Sequence, residues 1–325
     1  MASTPSAPEA DHDHAGDAAT SPPGQTVPPD RREKASATRN PIAPFAYSAI
    51  IARSILIGRS ALRHLLLAAA ALTVMAPAVA TAAKADPAIV KAIGDPQRSE
   101  ANRARDVYRH PAETLAFFDV HPGQTVIEFY PGGGWFTEIL APMLKDKGHY
   151  VAMPPSSEKG IAATRAMLDR NSAWFGAADI VPFSPAAPTT FPAGTADRVL
   201  TFRNLHNLIM AGDAVAAKAF ADFHAALKPG GILGIEEHRL PEDMDSAREQ
   251  SSGYLKRSTI IRLATAAGFK LAGESTVNAN PKDTHDWPEG VWTLPPTYKL
   301  GNVDRAKYQA IGESDRLTLK FVKPK

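Results

Sequence analysis

Cysteine is absent from the 325 residues. Its absence excludes disulfides, thiolate metal sites, cysteine nucleophiles and lipid attachment through a thiol. Neither sign of charge is in excess. The chain carries 36 Lys and Arg against 34 Asp and Glu, a formal net charge of +2. That balance excludes nucleic acid or an acidic surface as the main partner. Residues 1–50 hold few large apolar side chains and no periodicity. They are rich in Ala, Pro, Ser, Thr and Asp, which reads as disorder. At roughly 150 residues per domain the length suggests two domains. The composition of this first stretch makes the folded part shorter. With 44% hydrophobic residues, that part can build a real core.

A tripartite pattern follows. Arg53, Arg59 and Arg63 precede an uncharged run over 65–83, mostly Leu and Ala. Ala78-Val79-Ala80 puts small residues at the −3 and −1 positions of a signal peptidase site. The pattern resembles a bacterial secretory signal peptide. A retained anchor is the alternative, although Pro77 interrupts a run barely long enough to span. The expected organisation is 1–52 as disordered leader or misassigned start, 53–83 as signal peptide or anchor, and 84–325 as folded domain. The expected location is periplasmic or exported, with membrane contact only through an uncleaved N-terminal segment. The 242 residues from Lys84 onward suit one α/β domain.

Strands and helices alternate along that domain. A polar helix is expected over 98–109, then another opened by Pro111, whose missing N–H is not needed at a first turn. Strands are expected over 125–129, 149–153, 180–183, 198–202 and 232–236. Helices are expected over 135–144 and 156–170, with further ones capped by Asp213 and Ser258. Lys228-Pro229-Gly230-Gly231 reads as a turn, and 269–275 with 317–322 as a final antiparallel pair. Such alternation implies a mainly parallel sheet covered on both faces.

The run Val126-Ile127-Glu128-Phe129-Tyr130-Pro131-Gly132-Gly133-Gly134 closes a strand and opens a helix. Glycine lets backbone approach a ligand, and a helix N-terminus offers N–H groups. The run is not a P-loop, since no Gly-Lys-Ser/Thr follows. It also fails the dinucleotide spacing, because Thr137 stands where the third glycine belongs. It resembles the first motif of class I S-adenosylmethionine-dependent methyltransferases. Ala196-Asp197-Arg198-Val199-Leu200 resembles that fold's fourth strand, and Leu227-Lys228-Pro229-Gly230-Gly231 the turn before its fifth. Phe202-Arg203-Asn204-Leu205-His206-Asn207, Asn280-Pro281-Lys282-Asp283-Thr284 and Gly290-Val291-Trp292-Thr293-Leu294-Pro295-Pro296 further resemble a family of exported bacterial predicted methyltransferases.

The resemblance implies a class I methyltransferase-like (Rossmann-like) α/β fold with a C-terminal antiparallel strand pair. It implies S-adenosyl-L-methionine as cofactor, held by Glu128, Tyr130, Pro131, Gly132, Gly133, Gly134 and Asn204. It places His206, Asn207 and Arg203 beside the reacting groups of a small-molecule acceptor. Departures from the family pattern are visible. Tyr130 replaces the usual first glycine. The second strand ends Ala152-Met153-Pro154-Pro155 rather than in a ribose-binding acid, with Glu158 the nearest candidate. Asp179 precedes the expected third strand instead of following it.

His206 is a candidate base, because histidine titrates near neutrality. Glu236, Glu237 and His238 end the fifth strand. Adjacent strand residues alternate faces, so the three are not expected to converge, and no metal site is expected. Trp135, Tyr254 and Trp292 read as core or as an aromatic pocket. Lys282, Asp283, Asp286 and Glu289 read as a solvated loop. Methyl transfer to a small molecule is the leading expectation. A degenerate fold that binds a periplasmic ligand or partner is the alternative, and a cleft hydrolase using Glu237 and His238 the third.

Overall fold

Strand β1 (Thr125–Phe129) sends Ile127 and Phe129 into one apolar cluster and Val126 into another. That is the period of two a strand requires. A strand buried on both sides belongs inside a parallel sheet covered on both faces. The computed structural model describes residues 84–325 and shows that sheet. The leader and the apolar segment after it lie outside the described residues, and so do the expectations placed on them.

The remaining strands are β2 (His149–Met153), β3 (Ala178–Ile180), β4 (Ala196–Phe202), β5 (Leu227–Leu240), β6 (Leu255–Lys256), β7 (Lys270–Ser275) and β8 (Arg316–Val322). Their order is β3-β2-β1-β4-β5-β8-β7, with β6 added to β5. β1 to β5 pair in parallel, while β8 runs antiparallel to both β5 and β7. The helices are α1 (Pro87–Ile93), α2 (Glu100–Arg103), α3 (Asp106–Arg109), α4 (Pro111–Phe117), α5 (Thr137–Leu144), α6 (Glu158–Asp169), α7 (Ser172–Phe175), α8 (Leu205–Met210), α9 (Asp213–Ala226), α10 (Arg257–Ala266) and α11 (Arg305–Ile311). Apolar residues of α8, α9 and α10 cover one face of the sheet, and those of α1 and α4 to α7 cover the other. This is the expected mainly parallel α/β sheet covered by helices on both faces, with its antiparallel strands at one side. Among the described residues no helix is long and apolar enough to cross a membrane.

Several elements differ from expectation, each for a physical reason. The polar helix over 98–109 breaks into α2 and α3, and Arg98 turns inward to pair with Asp106 at 2.8 Å. The third strand lies two residues earlier than expected. Pairing with β2 begins at Ala178, and it continues past the strand, where the N–H groups of Val181 and Phe183 donate to the carbonyls of Ala152 and Pro154 at 2.9 and 2.8 Å. Asp179 therefore lies within β3, where it contacts His149 at 2.9 Å. The expected turn at Lys228-Pro229-Gly230-Gly231 is absorbed into β5, with a register shift opposite Ala196 and Arg198. β5 also outruns its expected end, because β8 pairs it as far as His238 and β6 beyond. Asp213 is the first residue of α9 rather than its cap, and Ser258 lies inside α10. Asp283 is buried, against the expectation of a solvated loop. Its carboxylate accepts from the Tyr254 hydroxyl, the Trp287 indole and the backbone N–H of Asp315.

Candidate functional site

An open cleft of about 940 Å³, solvent at its mouth included, lies at the carboxyl ends of β1, β4 and β5. In open α/β sheets that edge is where ligands bind. The turn after β1 forms its floor. Tyr130 takes the left-handed backbone conformation, φ 53°, that the usual glycine would adopt without strain. Three contacts hold it there. Its N–H donates to the Met153 carbonyl at 2.9 Å, its ring stacks on Phe129 at 4.0 Å, and its carbonyl accepts from the Asn204 side-chain amide at 2.9 Å. The same amide also donates to the carbonyls of Phe202 and Phe129. Asn204 thus clamps the ends of β1 and β4 together.

Pro131, Gly132 and Gly133 line the cleft, whereas Gly134 does not. Gly134 sits at φ 85°, and a Cβ there would collide with Met167 Sδ on α6. Gly134→Ala is expected to lower stability by about 1–2 kcal/mol, the scale of a left-handed non-glycine residue, in urea denaturation. An unchanged midpoint would refute this. Gly132, at φ 54° and exposed, is the glycine whose substitution reports on ligand contact.

Glu128, the last residue but one of β1, lies beneath the turn, 3% exposed. Its Oε2 accepts from the Tyr150 hydroxyl at 2.6 Å and from the Thr137 hydroxyl at 2.8 Å. Burial pushes its carboxyl up from 4.5 to about 7, against the opposing effect of those hydroxyls and of Arg203. A raised folded-state value means that the folded protein keeps a proton the unfolded chain has released. Glu128 therefore costs stability progressively as pH rises from 4.5 to about 7. Glu128→Gln removes that loss. Relative to wild type, the variant is expected to gain about 2 kcal/mol between about pH 5 and about pH 8 in urea denaturation. A difference independent of pH would count against the buried proton.

His206 lies in the first turn of α8, 4% exposed, and lines the cleft. Glu237 crosses from β5 to meet it. One Glu237 oxygen accepts the backbone N–H groups of Leu205 at 2.6 Å and His206 at 3.3 Å. The other accepts the N–H of His238 at 2.9 Å and faces His206 Nδ1 at 3.0 Å. A carboxylate already accepting three N–H groups takes Nδ1–H as a donor, which leaves Nε2 as the ring nitrogen with a lone pair. His238 packs beside this pair, its ring 5.4 Å from that of His206, with Nδ1 2.5 Å from Ser314 Oγ. Burial, reinforced by the nearby His206, Arg203 and Arg316, holds His238 well below the usual histidine value.

As expected, Glu236, Glu237 and His238 do not all converge, but two of them do. Glu237 and His238 meet through His206, because α8 reaches over the strand end. One ligand atom from each of His206, Glu237 and His238 lies within 4.8 Å of the others, a spacing a divalent ion could bridge. Both Glu237 oxygens are already engaged by N–H groups, however, and two arginines place positive charge beside His238.

Glu236 points elsewhere. It is fully buried and pairs with Arg316 at 2.7 Å and Arg203 at 3.3 Å. Arg316 continues to Glu313 at 2.9 Å, which also meets Arg105 at 2.7 Å and Arg109 at 3.1 Å. Arg109 in turn lies over the Trp135 ring at 4.8 Å. Sequence reasoning missed this chain of charges. Its members come from the segment between α2 and α3, from α3, from the residue after β4, from β5, and from the lead-in and first residue of β8, and no local spacing marks them.

The expected site residues Glu128, Tyr130, Pro131, Gly132, Gly133, Arg203, Asn204, His206 and Asn207 all line the one cleft. Trp135 and Trp292 line it too, whereas Tyr254 is core. Glu158 is the exposed first residue of α6 and does not line it.

No protein-family model and no curated protein sequence matches the chain. Solved structures do resemble it. A SAM dependent methyltransferase from Aquifex aeolicus is 15% identical, with 73% of this chain and 98% of that one covered, at a TM-score of 0.47. The [4+2]-cyclase SpnF is 15% identical over 71% and 85%, at 0.46. An arsenic(III) S-adenosylmethionine methyltransferase from Chlamydomonas reinhardtii is 11% identical over 62% and 64%, at 0.40. At such identities and scores, the likeness carries no argument about chemistry.

Proposed function

We propose that the chain transfers a methyl group from S-adenosylmethionine to a small molecule whose nucleophilic oxygen or nitrogen gives its proton to His206. The observation that carries this reading is the His206–Glu237 pair, set in the same cleft as the glycine turn. Fold alone would not select a chemistry. The residues present fit the methionine half of the cofactor. Gly132 and Gly133 offer open backbone ahead of the α5 N-terminus, and Glu128 lies below. No acid at the end of β2 lines the cleft to meet ribose hydroxyls.

S-adenosylmethionine, when bound, supplies an electrophilic methyl group. The chain's own contribution is positioning, a dry wall and a place for one proton. Glu237 fixes the imidazole by its Nδ1–H, so that Nε2 can take the acceptor proton. Trp292, whose ring meets His206 edge-on at 5.9 Å, walls that side. Asn204 holds the turn in shape. Calorimetric titration of the protein with the demethylated product, S-adenosylhomocysteine, tests the cofactor directly. Binding that Gly132→Val abolishes, with circular dichroism unchanged, is the expected result. No binding by the wild type at millimolar ligand would turn the reading toward a degenerate fold that binds without catalysis.

A further inference from the structure

Two imidazoles stand side by side in the cleft, and each has one ring nitrogen tied from behind. His206 and His238 both line the cleft, with ring centroids 5.4 Å apart. Glu237 ties Nδ1 of His206 at 3.0 Å, and Ser314 ties Nδ1 of His238 at 2.5 Å. Neither Nε2 has a hydrogen-bond partner among the described residues. The two anchors differ in kind. A carboxylate only accepts, so Glu237 keeps the hydrogen on His206 Nδ1 and leaves Nε2 a lone pair. Ser314 offers a hydroxyl, 2% exposed, and among the described residues no other group lies within hydrogen-bond distance of its oxygen. If His238 Nδ1 carried the hydrogen, the hydroxyl's own hydrogen would be buried without an acceptor, which is costly. Ser314 therefore donates to Nδ1, and the hydrogen of the neutral His238 ring sits on Nε2. The ring stays neutral, since burial and the neighbouring His206, Arg203 and Arg316 hold it well below the usual histidine value. Side by side, the two rings present one lone pair and one N–H.

We infer, resting on the methyl-transfer reading, that His238 is a specificity-determining residue: its Nε2–H donates to a lone-pair oxygen or nitrogen beside the acceptor's nucleophile, while His206 Nε2 takes the nucleophile's proton. Two heteroatoms on neighbouring carbons can bridge rings at this separation with one hydrogen bond each. In the transfer, the nucleophile's lone pair forms the bond to the methyl carbon, and the carbon–sulfur bond breaks with its electron pair left on sulfur. The proton passes to His206 Nε2, leaving an imidazolium against the Glu237 carboxylate. His238 neither gains nor loses a proton. Phe136 and Phe202, stacked at 3.5 Å, and Trp292 give the cleft flat apolar walls, so an aromatic ring suits the rest of the acceptor.

Long-range proton–nitrogen NMR on the full-length protein with isotope-labelled histidine reads both tautomers without any ligand. The expected result near neutral pH is hydrogen on Nε2 of His238 and on Nδ1 of His206. Ser314→Ala should leave His238 as a mixture of tautomers. Calorimetry then compares ortho-methoxyphenol, whose hydroxyl has an acceptor-only oxygen beside it, with its para isomer. Each titration is run with and without saturating S-adenosylhomocysteine. The ortho isomer should bind about fivefold tighter, the scale of one net hydrogen bond. His238→Phe should abolish that preference, and His238→Gln, which keeps an N–H, should retain most of it. Equal binding of the isomers, binding of neither, or a His238 hydrogen on Nδ1 overturns the inference even if S-adenosylhomocysteine binds. Preference for the ortho isomer, in a protein that never binds S-adenosylhomocysteine, supports the imidazole pair and removes the methyl-transfer reading alone. The wild-type spectrum and titrations need no variant, so they stand if a substitution fails to fold.

Discussion

His206→Asn is expected to lower turnover by about 100-fold or more, the scale of a positioned base. Affinity for S-adenosylhomocysteine should stay within about twofold, since the turn that would hold it lies on β1. Asparagine can still hydrogen-bond but cannot take a proton near neutral pH. The measurement is steady-state methyl uptake with an acceptor found by screening small molecules, alongside calorimetry for the cofactor product. An active His206→Asn protein would reduce the imidazole to an orienting group. Matching losses of binding and of folded structure would make it a packing residue. The geometry argues for the base, because Glu237 ties Nδ1 and leaves Nε2 with the lone pair.

The largest effect on stability is expected at Glu236. Its side chain is fully buried and answers both Arg316 and Arg203. Glu236→Ala leaves a buried guanidinium short of a partner, which typically costs about 3–5 kcal/mol. Urea denaturation of variant and wild type measures it. A loss under about 1 kcal/mol would mean that Glu313 alone satisfies Arg316. Replacing both members, Glu236→Leu with Arg316→Met, should recover part of the loss, because well-packed apolar residues remove the desolvation penalty along with the pair.

These two residues also show what a sequence can and cannot disclose. His206 stands in Arg203-Asn204-Leu205-His206-Asn207, directly after a strand whose end the alternating pattern locates. Its place at the cleft was therefore legible, as was that of the glycine turn. The strands β1 and β2 were legible to the residue, because apolar runs bounded by Gly-Gln and Lys-Gly leave little choice. Glu236 gave no such sign. It reads as one of three polar residues at a strand end. Its partners are 33 and 80 positions away, and only the pairing of β8 with β5 brings Arg316 to it. Arg105 and Arg109 read as ordinary charges on a polar helix, yet they close onto Glu313, more than 200 positions distant. Asp283 looked like loop polarity because the donors that bury it, Tyr254 and the Asp315 backbone, belong to other segments.

The amide of Asn204 reaches three carbonyls, two from the end of β1 and one from β4. A floor stapled in this way is held in one shape, so a ligand loses little free energy in ordering it. The opposite side is made differently. Val291, Trp292, Pro295, Pro296 and Thr297 overhang the cleft from the long stretch between β7 and β8. Tolerance to change is therefore divided within one pocket. Substitutions in the overhang can alter which molecule is admitted, whereas substitutions in the floor alter whether anything is held at all.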